Sequence, residues 1–249
     1  MNKKLPKDNL VFGIHAVIES IRSGKEIDKL FIQKQLRNPS IKELIQTAKS
    51  FRVPISSVPL EKLNRITRKN HQGTIAFISA VQYASLDNLI SEAYQKGEEP
   101  FLLLLDRITD VRNFGAITRS AECAGVLGII VPSKGGSAIN SDAMKTSAGA
   151  LNYVPICRSE NLKDTIQYLK SSGLTIVGCT EKTDNYLYNI DLKGPLCIIM
   201  GSEENGISSE YLKLCNSQGK IPVLGNVGSL NVSVSAGIAL FEAVRQRGL

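Results

Sequence analysis

Three stretches of the 249-residue sequence place polar and charged side chains among glycines, each directly after an apolar run. They read DRITDVRNFGAITRSAECAG, MGSEENGIS and IPVLGNVGSLNVSVSAG. Between them they supply amides, a guanidinium, carboxylates and a hydroxyl, groups that can bind a polar ligand and stabilise a developing negative charge. Both histidines, His15 and His71, lie far upstream of these stretches, which excludes a histidine-based centre in the later part of the chain.

Each stretch also has an ordinary structural explanation. The first fits a capped helix with an exposed arginine, the second a glycine-rich turn, and the third a polar turn that caps the long closing helix. One stretch alone therefore indicates little, and the functional interpretation depends on all three occurring in one chain.

The elements that must position these stretches read as a parallel sheet. Four runs are apolar throughout, namely FLLLLD, LGIIVP, LTIVGCT and PLCIIMG, and helical segments separate them. Strands with apolar side chains on both faces are typical of a parallel sheet covered by helices on both sides. Ligands bind beyond the carboxyl ends of such strands, which directs attention to the loops after Leu105, Met200 and Pro222.

The preceding part of the chain predicts a smaller α/β unit. It contains an amphipathic segment that ends near Gly24, a second helical segment SIKELIQTAKSFR, and the strand-like runs KLFIQ, VPISSV and GTIAFISA. We expect a domain over residues 1–80, a linker over 81–100 that includes a helix in SLDNLISEAYQKG, and a second domain over 101–249.

The positive charge of the chain is confined to this first unit. Residues 1–80 hold 15 Lys and Arg against 6 Asp and Glu, whereas residues 81–249 hold 15 against 17. A localised basic excess is typical of nucleic-acid binding, because phosphate contacts supply most of the sequence-independent affinity, although a solvated basic surface explains it equally well. The segment RITRKNHQG favours RNA and names four candidate RNA-binding residues: Arg65, Arg68, Lys69 and His71.

Several classes of protein are excluded or disfavoured by what the sequence lacks. It has no G-x-G-x-x-G and no G-x-x-x-x-G-K-[ST], so neither a dinucleotide site nor a nucleoside triphosphate loop is indicated. Its five cysteines are scattered singly, which disfavours both disulfides and a thiolate zinc site, and we expect no metal. No run of about 18 apolar residues and no signal-like start is present, so we expect a cytoplasmic protein without a membrane span.

Taken together and in order, the three stretches resemble the signature of the SpoU/TrmH family of RNA ribose 2′-O-methyltransferases. NFGAITRSAECAG resembles the first motif of that family, IIMGSEENGI the second, and IPVLGNVGSLNVSVSAGIALFEAVRQR the third. FGIHAV and HQG resemble the small RNA-binding domain of the bacterial subgroup that methylates a guanosine of 23S ribosomal RNA. The resemblance implies a parallel-sheet α/β domain tied into a trefoil knot, a homodimer, and S-adenosylmethionine as cofactor.

The resemblance also implies roles for individual residues. The positions that match the cofactor contacts of the family are Gly201, Ile221 and Leu230. The positions that match its catalytic set are Asn113, Arg119, Glu204, Ser229 and Asn231. Since an arginine side chain cannot ordinarily accept a proton, Arg119 is interpreted as an electrostatic clamp on phosphate and the developing alkoxide. Glu203 is expected to face solvent or be structural.

Two alternatives to the ribosomal RNA substrate stay open from the sequence. The substrate could be a transfer RNA, or the chain could be a non-catalytic RNA-binding or ribosome-assembly protein that keeps the fold. The closing helix adds an expectation of its own, because Val234, Ile238 and Phe241 form an apolar stripe. We expect that stripe to be buried against the sheet, a second subunit, or both.

Overall fold

The computed structural model describes residues 10–248. They form two compact units. One comprises residues 10–82 together with Ala138–Ser141, and the other comprises Tyr83–Ser137 together with residues 142–248.

The first unit is built on a four-stranded sheet of order β1-β4-β2-β3. Its strands are β1 (Leu10–Phe12), β2 (Ile27–Gln33), β3 (Ile55–Val58) and β4 (Thr74–Ile78). Its helices are α1 (Ile14–Arg22), α2 (Pro39–Ser50) and α3 (Leu60–Ile66). β4 pairs antiparallel with both β1 and β2, while β2 and β3 are parallel.

Apolar packing holds this unit together on both sides of the sheet. Side chains of α1 and α2 pack with β2 and β4 into a buried core that includes Val17, Leu30 and Leu44. A second cluster, Phe31, Val58, Leu63 and Ile75, buries the inner side of α3. The start of α2 is fixed by its cap, since the Asn38 side chain accepts a hydrogen bond from the backbone N–H of Ile41 at 2.8 Å.

The second unit contains a six-stranded sheet of order β10-β8-β9-β5-β6-β7. Its strands are β5 (Phe101–Leu105), β6 (Gly128–Pro132), β7 (Ile156–Ser159), β8 (Thr175–Cys179), β9 (Leu196–Met200) and β10 (Ser217–Gly219). Its helices are α4 (Leu86–Gln95), α5 (Val111–Cys123), α6 (Ser141–Thr146), α7 (Leu162–Ser171), α8 (Ser209–Leu212) and α9 (Val232–Gln246). All neighbouring strand pairs are parallel, which confirms the predicted α/β class.

The strand order determines which loops can meet. β5 and β9 are neighbours in the middle of the sheet, and every residue of both is buried. β8 lies between β9 and β10, and since all strands run the same way, the loops after β5, β8, β9 and β10 lie at one edge of the sheet.

Helix α4 belongs to the second unit, although the sequence suggested a linker over residues 81–100. Ile90 is part of the core of that unit, and the backbone N–H of Ala84 donates to the Ile156 carbonyl of β7 at 2.8 Å. The segment is helical as predicted, but it is packed into the structure rather than being a free connection.

Helix α9 buries a different face from the one the sequence suggested. Ala236, Ala239, Leu240 and Ala243 are buried, and α9 packs against α5. Val234 and Phe241 of the predicted apolar stripe are 50% and 48% exposed. The stripe is therefore not covered by the sheet of its own chain.

Candidate active site

A buried carboxylate marks the end of β5. Asp106 is 1% exposed and accepts hydrogen bonds from the backbone N–H of Ser208 at 2.8 Å and from the Ser208 hydroxyl at 2.7 Å. Arg107 pairs with the same carboxylate through Nε at 2.8 Å and through its NH2 nitrogen at 3.2 Å. This hydrogen bonding raises the pKa of the Arg107 guanidinium. The network ties the end of β5 to the loop that follows β9. Its residues lie within the first two stretches, but nothing in the sequence indicated that they meet.

Helix α5 presents Asn113 in its first turn and Arg119 further along. The helix begins at the cap Asp110, whose carboxylate accepts from the backbone N–H of Arg112 at 2.7 Å. Gly115 is required by close packing, because a Cβ there would lie 2.5 Å from the Thr146 side chain. Arg119 is exposed, and within residues 10–248 it makes no hydrogen bond or ion pair, which leaves its guanidinium available to a ligand.

Hydrogen bonds join one residue from each of the three motifs. The Asn113 side-chain amide donates through Nδ2 to Glu203 Oε1. The Asn231 amide donates through Nδ2 to Asn113 Oδ1 at 3.1 Å. Glu203 is 90 positions away from Asn113 in the sequence and Asn231 is 118 positions away, yet both contact the Asn113 side chain.

Asn231 also caps the closing helix. Its Oδ1 accepts from the backbone N–H of Ser233 at 2.9 Å and from the Ser233 hydroxyl at 2.5 Å. Because these donors fix which end of the Asn231 amide is the oxygen, its Nδ2 must face Asn113, and Asn113 must in turn direct its own Nδ2 to Glu203. Capping and site-building are therefore two roles of one side chain.

The carboxylate in this chain of hydrogen bonds is Glu203, not Glu204. Glu204 is exposed and makes no hydrogen bond or ion pair within the described part of the chain, whereas Glu203 contacts Asn113. Glu203 is exposed, as expected, and it also hydrogen-bonds Asn113, a contact that the sequence did not suggest. A short hairpin over residues 201–206 sets the directions of the Glu203 and Glu204 side chains. Its backbone is closed by two hydrogen bonds, from the N–H of Ser202 to the carbonyl of Gly206 at 3.2 Å and from the N–H of Gly206 to the carbonyl of Ser202 at 2.8 Å.

Gly201 is required by that hairpin itself. A Cβ on Gly201 would lie 2.1 Å from the carbonyl carbon of Gly206 and from the backbone nitrogen of Ile207, so any side chain would displace the returning strand of the hairpin. Gly206 has a φ of 65°, a conformation that glycine adopts without strain. A substitution at Gly201 consequently tests the fold of the loop before it tests ligand binding.

The remaining motif-three residues lie in an open segment over residues 221–230. Ile221 is half-buried, Leu230 is 40% exposed, and Ser229 is exposed without a hydrogen bond in the described residues. Among those same residues, no backbone N–H of 221–230 donates to another backbone group. Unused backbone donors beside aliphatic side chains suit a purine and an amino-acid moiety, so this segment fits a nucleoside-containing cofactor.

A cleft opens beside the hydrogen-bonded residues. Its volume is about 470 Å³. Its lining residues are Arg107, Thr109, Asp110, Asn113, Gly135, Ser202, Glu203, Glu204 and Asn205. The cleft combines two amides and three carboxylates with a guanidinium, and it lies at the carboxyl edge of the strands.

The four predicted RNA-binding residues divide into two groups. Arg65, Arg68 and Lys69 are exposed. His71 is 7% exposed; its Nδ1 accepts from the backbone N–H of Gly73 at 3.0 Å, and its Nε2 lies 3.0 Å from Asn64 Oδ1. Both ring nitrogens are engaged within the unit, so His71 holds the turn before β4 and is not presented to a ligand.

Basic side chains also cover the phenylalanines on the α3 side of the first sheet. Lys62 and Lys29 lie 4.8 and 6.0 Å from the ring centre of Phe31, and Lys69 lies 5.7 Å from that of Phe12. Cations within about 6 Å of an aromatic ring are attracted to its face. Lys62 lies on α3 with Arg65, and Lys69 follows Arg68 directly in the sequence. Of these three lysines, the sequence had suggested only Lys69 as an RNA-binding residue.

The cysteines do not provide a reactive thiolate at this edge. Burial raises the pKa of the Cys157 and Cys179 thiols to about 12 and that of Cys215 to about 11. Burial also raises the pKa of Cys197.

Throughout residues 10–248, no group of three or more His, Cys, Asp or Glu side chains is placed to hold a metal ion. Nor does any helix in that range combine the length and apolar character needed to span a bilayer.

Comparison with known families decides the assignment. The model of the SpoU rRNA Methylase family matches residues 100–241, which contain the first two motifs and the third as far as Phe241. The chain belongs to the SpoU rRNA methylase family. A second model, described as RNA 2′-O ribose methyltransferase substrate binding, matches residues 10–84. The chain is therefore an RNA methyltransferase, and S-adenosylmethionine is the methyl donor on which this family depends.

Similar proteins extend over nearly the whole chain. "Putative TrmH family tRNA/rRNA methyltransferase YacO" of Bacillus subtilis is 34% identical over 237 residues, 95% of each chain. The AdoMet-bound rRNA methyltransferase from Sinorhizobium meliloti is 25% identical, with a TM-score of 0.59 over 95% of this chain and 87% of that one. The SpoU methyltransferase AviRb from Streptomyces viridochromogenes, 24% identical, shares the fold with a TM-score of 0.60 over 95% and 89%.

Proposed function

We propose that this SpoU-family methyltransferase transfers the methyl group to a ribose 2′-hydroxyl of RNA. The observation that carries the proposal is the chain of hydrogen bonds from Asn231 through Asn113 to Glu203 beside an open cleft. It gives a carboxylate and an oriented amide at one place, and the exposed Arg119 lies on the same helix as Asn113.

The cofactor is assigned to the loops at the carboxyl ends of β8, β9 and β10. When bound, S-adenosylmethionine supplies an electrophilic methyl group on a sulfonium ion. Gly201 keeps the 201–206 hairpin tight, and Ile221 and Leu230 offer aliphatic surface beside unused backbone donors. These features bind and orient a nucleoside-containing ligand without placing a charged side chain against it.

Activation of the 2′-hydroxyl is assigned to Arg119 and Glu203. A ribose hydroxyl is a weak nucleophile at neutral pH, so its proton must be accepted or its developing charge stabilised. The Arg119 guanidinium is exposed and free of partners in the described residues, and a guanidinium suits a phosphate oxygen and the developing alkoxide. The Glu203 carboxylate can hold the hydroxyl proton, while Asn113 fixes its direction.

The proposed substrate is ribosomal RNA, with a guanosine of the 23S molecule as the specific target. The basic surface formed by Lys62, Arg65, Arg68 and Lys69 supports a large structured RNA, since each phosphate contact adds sequence-independent affinity. Transfer RNA is the second candidate, and the name of the Bacillus subtilis relative includes both classes of RNA. We propose a cytoplasmic location, where both RNAs occur.

We further propose a homodimer. Large apolar side chains are exposed both in the 221–230 segment and on α9, including Leu224 at 99%, Val227 at 75%, Val234 at 50% and Phe241 at 48% exposed. Several large exposed apolar side chains on neighbouring stretches of the chain are typical of a protein interface. A second copy packed there would cover the stripe that the chain itself leaves open.

Methyl transfer to defined RNAs tests the proposal. Unmodified 23S ribosomal RNA and unmodified transfer RNA are each incubated with enzyme and methyl-labelled S-adenosylmethionine, and the label is assigned to ribose or base. The proposal expects label on ribose in 23S RNA, at a rate that falls in Arg119→Ala and Glu203→Gln. Binding of RNA without any transfer would instead support the non-catalytic alternative.

A further inference from the structure

Two cationic side chains, Lys182 and Arg107, hydrogen-bond to the backbone of the hairpin that carries Glu203. From the β8 side, Lys182 Nζ donates to the carbonyl of Asn205 at 2.8 Å. From the β5 side, Arg107 donates through its NH2 nitrogen to the carbonyl of Gly206 at 3.4 Å. Both contacts fall on the returning strand of the hairpin, on adjacent peptide groups.

The rest of the hairpin has few ties of its own. Its backbone is closed by the Ser202–Gly206 pair, and Ser202 Oγ accepts from the backbone N–H of Asn205 at 3.3 Å. Glu203, Glu204 and Asn205 at its tip are exposed. Exposed turns with few buried contacts are the parts of a protein that open locally at low free-energy cost. Hydrogen bonds from residues outside the hairpin would therefore help to hold its tip in one orientation.

The two hydrogen bonds to the hairpin differ in strength. The Lys182 bond has normal hydrogen-bond length and an ionised donor, whereas the Arg107 bond is long. Arg107 is itself immobilised by Asp106, which also holds Ser208 just after the hairpin. An ideal Cβ on Gly206 would lie 3.7 Å from Lys182 Nζ and 3.6 Å from Glu181 Oε1, so the Lys182 ammonium and the Glu181 carboxylate both lie near this residue.

We propose that Lys182 and Arg107 are positioning residues, which hold the 201–206 hairpin so that the Glu203 carboxylate stays against Asn113. Lys182 lies outside the three stretches, whereas Arg107 lies in the first of them, ahead of the part that resembles the family motif. Neither residue belongs to the predicted catalytic set. The inference rests on the proposed function only for the part that Glu203 plays in methyl transfer. Misplacing a reacting group by about 1 Å can lower a rate on the order of 100-fold, so the orientation of this tip has a measurable consequence.

Lys182→Met is the test variant, since it removes the ammonium and keeps an unbranched stem. Arg107 is less suitable, because its loss would leave the buried Asp106 carboxylate without its guanidinium. Lys193→Met is the matched control. Lys193 is exposed and precedes β9 at the opposite edge of the sheet, so the same change occurs at the other end of the strand that leads into the hairpin.

The first readout does not require methyl transfer. Amide hydrogen exchange at Ser202 and Gly206 reports the bonds that close the hairpin. In Lys182→Met we expect exchange there to be roughly two- to tenfold faster, the factor that corresponds to losing one hydrogen bond. In Lys193→Met and in Lys182→Arg, exchange should match the wild type. Unchanged exchange in Lys182→Met would overturn the proposal.

The second readout separates positioning from a direct phosphate contact. Lys182→Met should lower kcat about tenfold or more with KM for RNA unchanged, and its effect should vanish in a Glu203→Gln background, because Lys182 affects the reaction only through the position of the Glu203 carboxylate. A raised KM, a flatter salt dependence and additivity with Glu203→Gln would show that Lys182 contacts phosphate instead. Should Glu203→Gln itself keep the wild-type rate, the catalytic role of Glu203 fails, while the exchange rates still decide whether Lys182 holds the hairpin.

Discussion

Replacing Asn231 by aspartate separates the two roles that the structure gives this residue. Aspartate keeps the oxygen that accepts from the backbone N–H of Ser233, and it is as good an N-cap as asparagine. A carboxylate is also favoured at the amino end of a helix. The substitution removes only the Nδ2 donor, whose bond to Asn113 Oδ1 measures 3.1 Å, and sets two acceptors facing each other.

The size of the effect follows from that bond. Loss of a neutral hydrogen bond costs about 0.5–1.5 kcal/mol. This bond is exposed, so water can satisfy the freed Asn113 oxygen and the larger penalty for a buried acceptor does not apply. If the loss destabilises the oriented Asn113–Glu203 pair in the transition state, kcat falls about 2- to 13-fold. The melting temperature should stay close to the wild-type value, because the cap is kept and a carboxylate at the helix start offsets the lost bond. Asn231→Ala, in contrast, loses the cap as well, and about 1 kcal/mol lowers the melting temperature of a chain of this size by about 2–4 °C.

The assay is kcat at saturating RNA and cofactor, with a thermal melt of each variant. Asn38→Asp is the matched control, because Asn38 caps α2 through the same kind of bond, from the backbone N–H of Ile41 at 2.8 Å, but lies in the other unit. It should keep the wild-type kcat. A wild-type kcat for Asn231→Asp would refute the hydrogen-bonded link to Asn113, and equal losses of stability in Asn231→Asp and Asn231→Ala would refute the capping argument.

Three further substitutions test other parts of the account. Arg119→Ala should lower turnover on the order of 10²–10³-fold, as expected for losing one preorganised electrostatic group, with S-adenosylmethionine affinity by calorimetry unchanged; a wild-type rate would return Arg119 to an ordinary surface position. Joint replacement of Arg65, Arg68 and Lys69 by alanine should flatten the slope of log affinity against log salt by about 2 for RNA, at about 0.7 per phosphate contact, and an unchanged slope would refute the basic surface as the binding site. Phe241→Glu should shift sedimentation equilibrium from dimer to monomer, because a buried unpaired charge is costly; a wild type that is monomeric throughout the micromolar range would contradict the interface.

The central strands could be predicted from the sequence because segments that are apolar at every position are stable only where both of their faces are buried. FLLLL and LCIIM are apolar at every position, and both strands are fully buried at the centre of the sheet. β7 and β10 read ICRS and SQG, which carry no such signal. They are strands because backbone pairing to β6 and β8 satisfies their polar groups, which local sequence cannot reveal.

The functional loops could be located from sequence, but the side chains within them could not all be assigned. Glu203 and Glu204 are adjacent and chemically identical, and only the closed hairpin decides that Glu203 reaches Asn113. The same holds for His71, whose neighbours in RITRKNHQG are exposed while its ring is enclosed. Such choices depend on backbone geometry and long-range contacts. The trefoil knot, implied by the family resemblance, stays a prediction.

Locating the transferred methyl group tests the central claim most directly. RNA methylated with labelled S-adenosylmethionine is hydrolysed completely in alkali, which cleaves a phosphodiester only where the neighbouring 2′-hydroxyl is free. The account predicts that the label is recovered in an alkali-stable dinucleotide, and that Arg119→Ala loses this product. Label recovered in mononucleotides, on a base, would contradict ribose 2′-O-methylation and the roles assigned to Arg119 and Glu203.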